Sequence, residues 1–322
     1  MKTIIKLAIA ASTLVWAGGA LAQGTTGKPL RWIVPYAVGG GSDFLARTIG
    51  QQLAENTGRT VVVDNRPGGN TAIGAVETAR AAPDGTTVLS ADNGTLVFNP
   101  ALYKNLSYNP LRDLAPVSLM GRFPMILVVN PQSDIKDAKD FIAKVKAQPG
   151  KFSYASAGAG SPHHLAMELL KQRTGIHILH IAYRGAAPAL VDVAGGQLAA
   201  MMTDLAAGNA FIKGGKVRPL AVANPTRLAQ LPDVPTFAEL GIPGVEAAAS
   251  VGMVAPAGTP PEVIAALQKN VAAAIHTPAI SKKLIEFGVE PVGSTPQEYA
   301  ALIQNETQVW HKLIRDLNIT LD

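Results

Sequence analysis

The stretch that most constrains the fold lies at residues 32–43 and reads WIVPYAVGGGSD. It joins a short apolar run, three consecutive glycines and two residues that can begin a helix. Glycine lets the backbone turn sharply and leaves no Cβ between the main chain and a ligand. We therefore expect a strand, a tight loop and a helix with Ser42 or Asp43 as its N-cap. The first N–H groups of such a helix have no intrahelical acceptor, so the pattern predicts a site for an anion such as a carboxylate.

The same layout occurs twice along the chain. Strands at 60–63 and 87–90 follow the first helix, and a second β-α-β-α-β run starts at residue 152 with a glycine loop at 156–161. Ser161 suits the N-cap and Pro162 the first position of the helix after that loop. This alternation predicts two α/β domains, each a mainly parallel sheet flanked by helices, with a ligand at the carboxyl ends of the strands.

Two further features are expected outside these units. The segment 99–118 is rich in proline, asparagine and tyrosine and is expected to be loosely structured. Thr259 with Glu262, and Thr295 with Glu298, have the spacing of capping boxes that open helices. The last of these helices carries apolar residues at helical spacing, which predicts packing against the first domain.

The N-terminus predicts export. Lys2 and Lys6 precede an apolar run at 7–17, and Ala20-Leu21-Ala22 matches a signal-peptidase site, so residues 1–22 are expected to be a cleaved signal peptide. Their removal lowers the formal net charge from +5 to +3, a bias too weak to indicate nucleic-acid binding. Cysteine is absent, which excludes disulfides and thiolate chemistry. The expected compartment is the periplasm.

The sequence gives little support to three enzymatic or cofactor interpretations. A dinucleotide site needs a third glycine where Phe44 stands, and export argues against a nicotinamide cofactor. Ser42 and Ser161 lie at strand-to-helix turns, so an exported serine hydrolase is the alternative, although G-x-S-x-G is absent. The adjacent His163 and His164 diverge on a helix, and no three ligands converge on a metal.

Several polar residues near strand ends are candidate ligand contacts. His164 either touches a ligand or is an exposed helix residue, and Arg184 either pairs with a carboxylate or forms a salt bridge. Asp204 either binds a ligand or braces a loop, while Asn93 and Thr95 can hydrogen-bond a ligand or a neighbouring loop. A molecule with a carboxylate at each end would satisfy both helix N-termini. The pattern predicts binding without catalysis, since no activated nucleophile or tuned base is evident.

The chain resembles the Bug/TctC family, the substrate-binding proteins of tripartite tricarboxylate transporters. The motifs that carry the resemblance are IVPYAVGGGSD at 33–43, VDNRPG at 63–68, APDG at 82–85, YASAG at 154–158, APAL at 187–190, LPDVPT at 231–236 and APAGTP at 255–260. They span essentially the whole chain after the signal peptide.

The resemblance implies a two-domain Venus-flytrap fold of the type II periplasmic binding proteins. Residues 28–124 and 251–322 would form domain 1 and 125–250 domain 2, with crossover strands near 125–130 and 250–256. Partners would be a small carboxylate and the membrane permease subunits, or a sensor kinase, and the protein would be monomeric without cofactor, metal or nucleic acid. The expected ligand-binding residues are Tyr36, Val38, Gly39, Gly40, Gly41, Ser42, Asp43, Asn93, Thr95, Ser156, Ala157, Ser161, His164, Arg184 and Asp204.

Overall fold

A computed structural model describes residues 27–322, so the expected signal peptide lies outside the described part of the chain. The strands are β1 Leu30–Val34, β2 Val61–Asn65, β3 Thr87–Asp92, β4 Leu114–Pro124, β5 Ile126–Val129, β6 Ser153–Ser156, β7 Leu179–Ala182, β8 Ala200–Thr203, β9 Arg218–Val222, β10 Ala248–Pro256 and β11 Glu290–Pro291. The helices are α1 Gly41–Thr57, α2 Ala72–Ala79, α3 Asn99–Leu102, α4 Pro110–Asp113, α5 Ala138–Ala147, α6 Pro162–Thr174, α7 Ala186–Ala194, α8 Leu205–Lys213, α9 Pro261–Ile275, α10 Pro278–Phe287 and α11 Pro296–Asp316, with a π-helical turn at Gly94–Phe98.

The first sheet has the order β11-β4-β10-β3-β1-β2. Strand β1 is parallel to β2 and β3, and β10 is antiparallel to β3 and β4. Trp32 lies opposite Val63 and Val88 and is fully buried. Its indole N–H donates to Ser90 Oγ at 2.9 Å, which satisfies the polar atom of a buried aromatic ring.

The second sheet has the order β7-β6-β8-β5-β9. Strands β6, β7 and β8 are parallel, and β5 is antiparallel to β8 and β9. Helices α6 and α7 pack against β6 and β8. The predicted α/β class, with two sheets flanked by helices, is therefore present. The sheets are mixed rather than mainly parallel: each has two parallel pairings, beside three antiparallel pairings in the first sheet and two in the second.

The chain passes from one sheet to the other at two adjacent places. Strand β4 ends at Pro124, and the Met125 N–H donates to the Ala247 carbonyl at 2.9 Å. Ala248 already pairs with Pro124 in the first sheet, three residues earlier than the boundary expected at 251. We call the parts of the chain before 125 and after 247 the first domain, the part between them the second domain, and the two passages the crossing.

The expectation of a loose segment at 99–118 is wrong at its end, because β4 begins at Leu114 and is the longest strand between residues 27 and 322. Pro116 and Gly121 obscure it in the sequence. Register shifts in its pairing with β10 accommodate these residues, and most of the strand is buried on both faces, so it lacks the alternation of a half-exposed strand.

The two predicted capping boxes have different outcomes. The box at Thr295 and Glu298 is confirmed, since each side chain accepts the other residue's N–H. The box at Thr259 is wrong: Pro260 occupies the N-cap, and the Thr259 hydroxyl donates to the Pro256 carbonyl at 2.7 Å.

Helix α11 packs on the first domain, as its pattern predicts. Its buried face includes Tyr299, Ile303 and Trp310, and the Trp310 ring meets Phe98 edge-on at a centroid distance of 5.3 Å. Within the described residues, no helix combines the length and apolar character that a bilayer crossing requires.

Candidate functional site

The carboxyl ends of the parallel strands in both sheets converge on the crossing. Thr203 pairs with Ile126, which places the following residue, Asp204, beside the crossing in the second domain. From the first domain, the Asn93 amide at the end of β3 donates to the Ala248 carbonyl at 2.8 Å. Gly41 at the start of α1 lies against Phe123: a Cβ there would be 3.0 Å from the ring. This convergence defines the candidate cleft.

Two glycine loops supply backbone to this region: the first loop, residues 36–43, and the second loop, residues 156–161. Gly160 of the second loop packs against Leu102 and Leu321 of the first domain, and a Cβ at Gly160 would lie 2.7 Å from Leu102 Cδ1. The second loop therefore reaches across to the first domain, consistent with a site shared by the two.

The first loop is not capped as the sequence suggested. Helix α1 begins at Gly41, and its N-cap is Gly40, without a side-chain cap. The prediction of Ser42 or Asp43 as N-cap is wrong because Asp43 folds back: its Oδ2 accepts the Gly39 N–H at 2.9 Å. Gly39 has φ +91°, a conformation that requires glycine.

Asp43 is the organising side chain of the first loop. Its Oδ1 accepts from Asn65 Nδ2 at 2.9 Å, and that same amide donates to the Tyr36 carbonyl at 3.0 Å. Burial alone raises the pKa of Asp43, but hydrogen bonds from Arg47, Gly39 and Asn65 outweigh it and lower the pKa below its usual value. The carboxylate is thus ionised and compensated inside the loop, which leaves the helix N-terminus to an external group.

The donors of that N-terminus are unused by the helix. The first intrahelical bond runs from the Phe44 N–H to the Gly40 carbonyl at 2.9 Å. By helix geometry the N–H groups of Gly41, Ser42 and Asp43 need acceptors from outside. Ser42 Oγ is also buried and, within the residues that the structure describes, lacks a hydrogen-bond partner. Together they form a cradle of donors suited to an anion.

Most N–H donors of the second loop and its helix are either already hydrogen-bonded or removed by proline. Ser161 is the N-cap of α6, as predicted, and accepts the His164 N–H at 3.3 Å. Pro162 has no N–H, so of the first three helical residues His163 alone keeps a free one. The expectation of a symmetric clamp, with a carboxylate at each helix, is not matched by this geometry.

His164 is a buried brace of the second loop. Its Nδ1 accepts the Gly160 N–H at 3.0 Å, and its ring stacks on His180 at a centroid distance of 3.9 Å. Burial, reinforced by His180 and Lys171, lowers its pKa to about 3, so it is neutral. The alternative of an exposed helix residue is wrong, because His164 is buried. Its Nδ1 is occupied by the loop, and a ligand contact through the rest of the ring stays a prediction.

Ser156 forms a serine–histidine contact. Its Oγ lies 2.7 Å from His180 Nε2 but also accepts the Gly158 N–H at 3.1 Å, and the residue is fully buried. A nucleophile needs access to substrate. The arrangement braces the loop and gives the hydrolase alternative no specific support.

Asp204 and His163 link two helices of the second domain. Asp204 is the N-cap of α8, accepting the Ala207 N–H at 3.0 Å, and His163 Nε2 lies 3.0 Å from its Oδ2. His163 Nδ1 is buried and has no partner. Sequence reasoning missed His163; its place in the first turn after the glycine loop was the only signal for it.

Asp92 engages two of the predicted residues. Tyr36 donates its hydroxyl to Asp92, and Thr95 donates its N–H and its hydroxyl to the same carboxylate, each at 2.8 Å. Tyr36 and Thr95 therefore shape the first domain from behind the cleft. The nearby Asn93 is different, because its Oδ1 is buried and unpartnered.

The remaining predicted residues contribute less. Val38 is 71% exposed, and Ala157 accepts the Gly185 N–H through its carbonyl at 3.0 Å. Arg184 is exposed and, within residues 27–322, forms no salt bridge; its pairing with a ligand carboxylate stays a prediction. No cluster of three metal-ligating side chains occurs in the same part of the chain.

Two cavities of about 450 Å³ each lie elsewhere, one beside α4 and α11 and one beside α7. Neither is lined by any of the predicted residues. The cleft is the stronger candidate because Ser42, Asn93 and His163 bring unpartnered buried polar atoms to it from both domains.

Comparison with known proteins identifies the family to which this architecture corresponds. The profile of the family described as "TctC: Tripartite tricarboxylate transporter family receptor" matches residues 45–319. Protein BugT of Bordetella pertussis is 36% identical over 91% of this chain and 90% of its own length.

Two solved structures share the fold as well as the sequence. R. palustris Rpa4515 with adipate has a TM-score of 0.82 at 34% identity, covering 89% of this chain and 96% of that one. MatC (Rpa3494) from Rhodopseudomonas palustris with bound malate has a TM-score of 0.78 at 30% identity, covering 89% and 99%. The predicted two-domain fold of the periplasmic binding proteins is confirmed.

Proposed function

Because this chain belongs to the TctC family of tripartite tricarboxylate transporter receptors, we propose that it binds a small carboxylate in the cleft between its domains. The observation that carries the proposal is the first loop, where Gly41, Ser42 and Asp43 present N–H groups that the helix itself does not use. Relatives whose structures contain adipate or malate support the same ligand class.

The first loop gives a physical account of a shared carboxylate site. Its donors are backbone groups at the positive end of α1, and these recognise the acid group alone. The negative charge of Asp43 is offset by Arg47 and directed away from the donors, toward Gly39 and Asn65. The loop thus favours a carboxylate while leaving the remainder of the ligand to other residues.

The proposal extends to the biological role. The protein acts as a periplasmic receptor, released by cleavage after Ala22, that delivers its ligand unchanged to membrane permease subunits; a sensor kinase is the alternative partner. Closure of the second domain over the ligand would create the shape that the partner recognises. The contacts between Gly160 and the first domain support such closure.

Thermal unfolding of the protein purified from a periplasmic extract, with a panel of aliphatic and aromatic carboxylates, tests the proposal. At least one carboxylate should raise the melting temperature, its amide should not, and calorimetry should give one site per chain. The panel contradicts the proposal if the amides stabilise as strongly as the acids or if nothing binds.

The absence of catalysis is tested on the same complex. Mass spectrometry after prolonged incubation should recover the ligand unaltered. The same measurement tests signal-peptide cleavage, because the intact mass of the protein should correspond to a chain beginning at Gln23. A chemically changed ligand, with the change lost in Ser42→Ala or Ser161→Ala, would favour the hydrolase alternative.

A further inference from the structure

The partner of His163 determines which of its two ring nitrogens donates a hydrogen bond. Asp204 is a carboxylate that also accepts an N–H of α8, so in their contact of 3.0 Å the hydrogen belongs to His163 Nε2. On a neutral imidazole the other nitrogen then carries only a lone pair. His163 Nδ1 is therefore a buried acceptor, and no donor among residues 27–322 reaches it.

Asn93 shows the same feature in the first domain. Its amide nitrogen faces the Ala248 carbonyl, which can only accept, so the oxygen must be the free atom. That oxygen, Oδ1, is also buried and receives no hydrogen bond from the described part of the chain. Two atoms that can only accept hydrogen bonds thus lie at the cleft, one from each domain.

Both acceptors lie close to the crossing. Ala248, which holds Asn93, pairs with Pro124, while Asp204, which holds His163, follows the residue paired with Ile126. Buried polar groups in native proteins are nearly always satisfied. Two unsatisfied acceptors beside one cleft therefore indicate a partner that supplies donors.

These acceptors complement the first loop, which supplies donors. The loop suits a carboxylate, whereas the face formed by Asn93, His163 and Asp204 contains acceptors and a negative charge. A second carboxylate would be repelled there, and a hydroxyl or ammonium group would be bound.

We propose that the ligand carries a hydroxyl or ammonium group in addition to its carboxylate, and that His163 Nδ1 is the residue that selects for this group. This inference rests on the proposed function and specifies it: the first loop binds the acid, and His163 with Asn93 distinguishes hydroxy and amino acids from plain acids.

The test compares matched ligands by calorimetry at a fixed pH of 8. One set consists of malate and aspartate against succinate and 2-methylsuccinate, in which a methyl group replaces the donor at similar volume. A second set consists of 4-hydroxybenzoate and 4-aminomethylbenzoate against 4-methylbenzoate. In the set that binds, the donor-bearing members should bind about tenfold more tightly than the methyl analogue.

His163→Gln is the informative variant. The glutamine amide can still donate to Asp204 but places no acceptor at the Nδ1 position, so preference for the donor-bearing ligand should disappear while affinity for the methyl analogue is kept. His177→Gln, the same change at an exposed histidine of the second domain, should preserve the preference. Melting curves verify that both variants are folded.

The outcomes separate the two proposals. If no carboxylate binds, the proposed function fails and this inference with it. If carboxylates bind but the methyl analogues bind as tightly as their partners, or if His163→Gln retains the preference, the inference alone is overturned.

Discussion

The two glycine loops look alike in sequence but differ in what satisfies the helix that follows. In the second loop Ser161 caps α6, Pro162 removes one donor, and His164 Nδ1 accepts the Gly160 N–H. In the first loop Gly40 provides no side-chain cap, and Asp43 turns away from the helix to hold Gly39. When a loop residue caps the helix, the first N–H groups of that helix are satisfied without a ligand. When the acceptor points back into the loop, those N–H groups remain available to an anion.

This difference assigns different roles to the two domains. The first loop is rigidly braced and rich in donors, so we expect it to receive the carboxylate first. We expect the second domain to supply acceptors through His163 and Asp204 and to close afterwards. Selectivity then depends mainly on the domain that closes, because backbone donors alone do not distinguish one carboxylate from another.

Asp43→Ala should have the largest effect on the difference between the two loops. Gly39 and Asn65 lose their shared acceptor and Arg47 its ion pair, so the free energy of unfolding should fall by about 3 kcal/mol. Because the loop is no longer preorganised, carboxylate affinity should drop by about 100-fold. Chemical denaturation and calorimetry measure the two effects.

The chain contains a matched control for this change. Asp140 in α5 accepts the N–H of Lys136, four residues earlier, in the same pattern as Asp43 and Gly39, but at a half-buried position of the second domain. Asp140→Ala should leave affinity unchanged. Equal loss of affinity in the two variants would mean that Asp43 does not organise the site specifically.

A pair of serine substitutions should have smaller and opposite consequences. Ser161→Ala removes the N-cap of α6 and should cost about 1 kcal/mol of stability with little loss of affinity. Ser42 Oγ has no protein partner, so Ser42→Ala should preserve stability but weaken carboxylate binding by about tenfold. If both substitutions lower stability, or both lower carboxylate affinity, the two loops do not differ in whether a side chain caps their helix.

The sequence was informative where local chemistry dictates structure. The two glycine loops, the N-cap at Ser161 and the capping box at Thr295 follow from residue types at short spacing. The repeated β-α-β units likewise predict two sheets with helices on their faces. Each of these inferences needs only contacts between residues close together in the chain.

Apart from the capping box at Thr259, where the neighbouring Pro260 takes the N-cap, the errors concern contacts that are distant in sequence. Asp43 was expected to cap α1, but Asn65, which lies on β2, draws its carboxylate backward. The isolated appearance of His163 concealed a partner 41 residues away. Strand β4 was overlooked because its pairing with β10 and β11, rather than its own pattern, sustains it. Such partners become visible only when the fold brings them together.

The smallest effect expected is a difference in acid sensitivity, and it arises from His164. Burial beside His180 and Lys171 lowers the pKa of His164 from its ordinary 6.5 to about 3. The unfolded chain therefore takes up a proton below pH 6.5 that the folded chain refuses. The stabilising contribution is full above pH 6.5 and is lost progressively as the pH falls toward 3, reaching about 1 kcal/mol of loss by pH 5.5.

The first loop should be insensitive in that range, because the pKa of Asp43 is lowered and its contribution is lost only below the usual aspartate range. His164→Asn isolates the effect: asparagine retains an acceptor for the Gly160 N–H but does not titrate. Burial raises the pKa of Glu306 to about 7, so its contribution to stability increases as the pH falls and opposes that of His164. Glu306 is present in both proteins and cancels in their difference. The stability of wild type relative to His164→Asn should therefore decline between pH 7 and 5.5, and a constant difference would show that His164 is not the group that makes the second loop acid-sensitive.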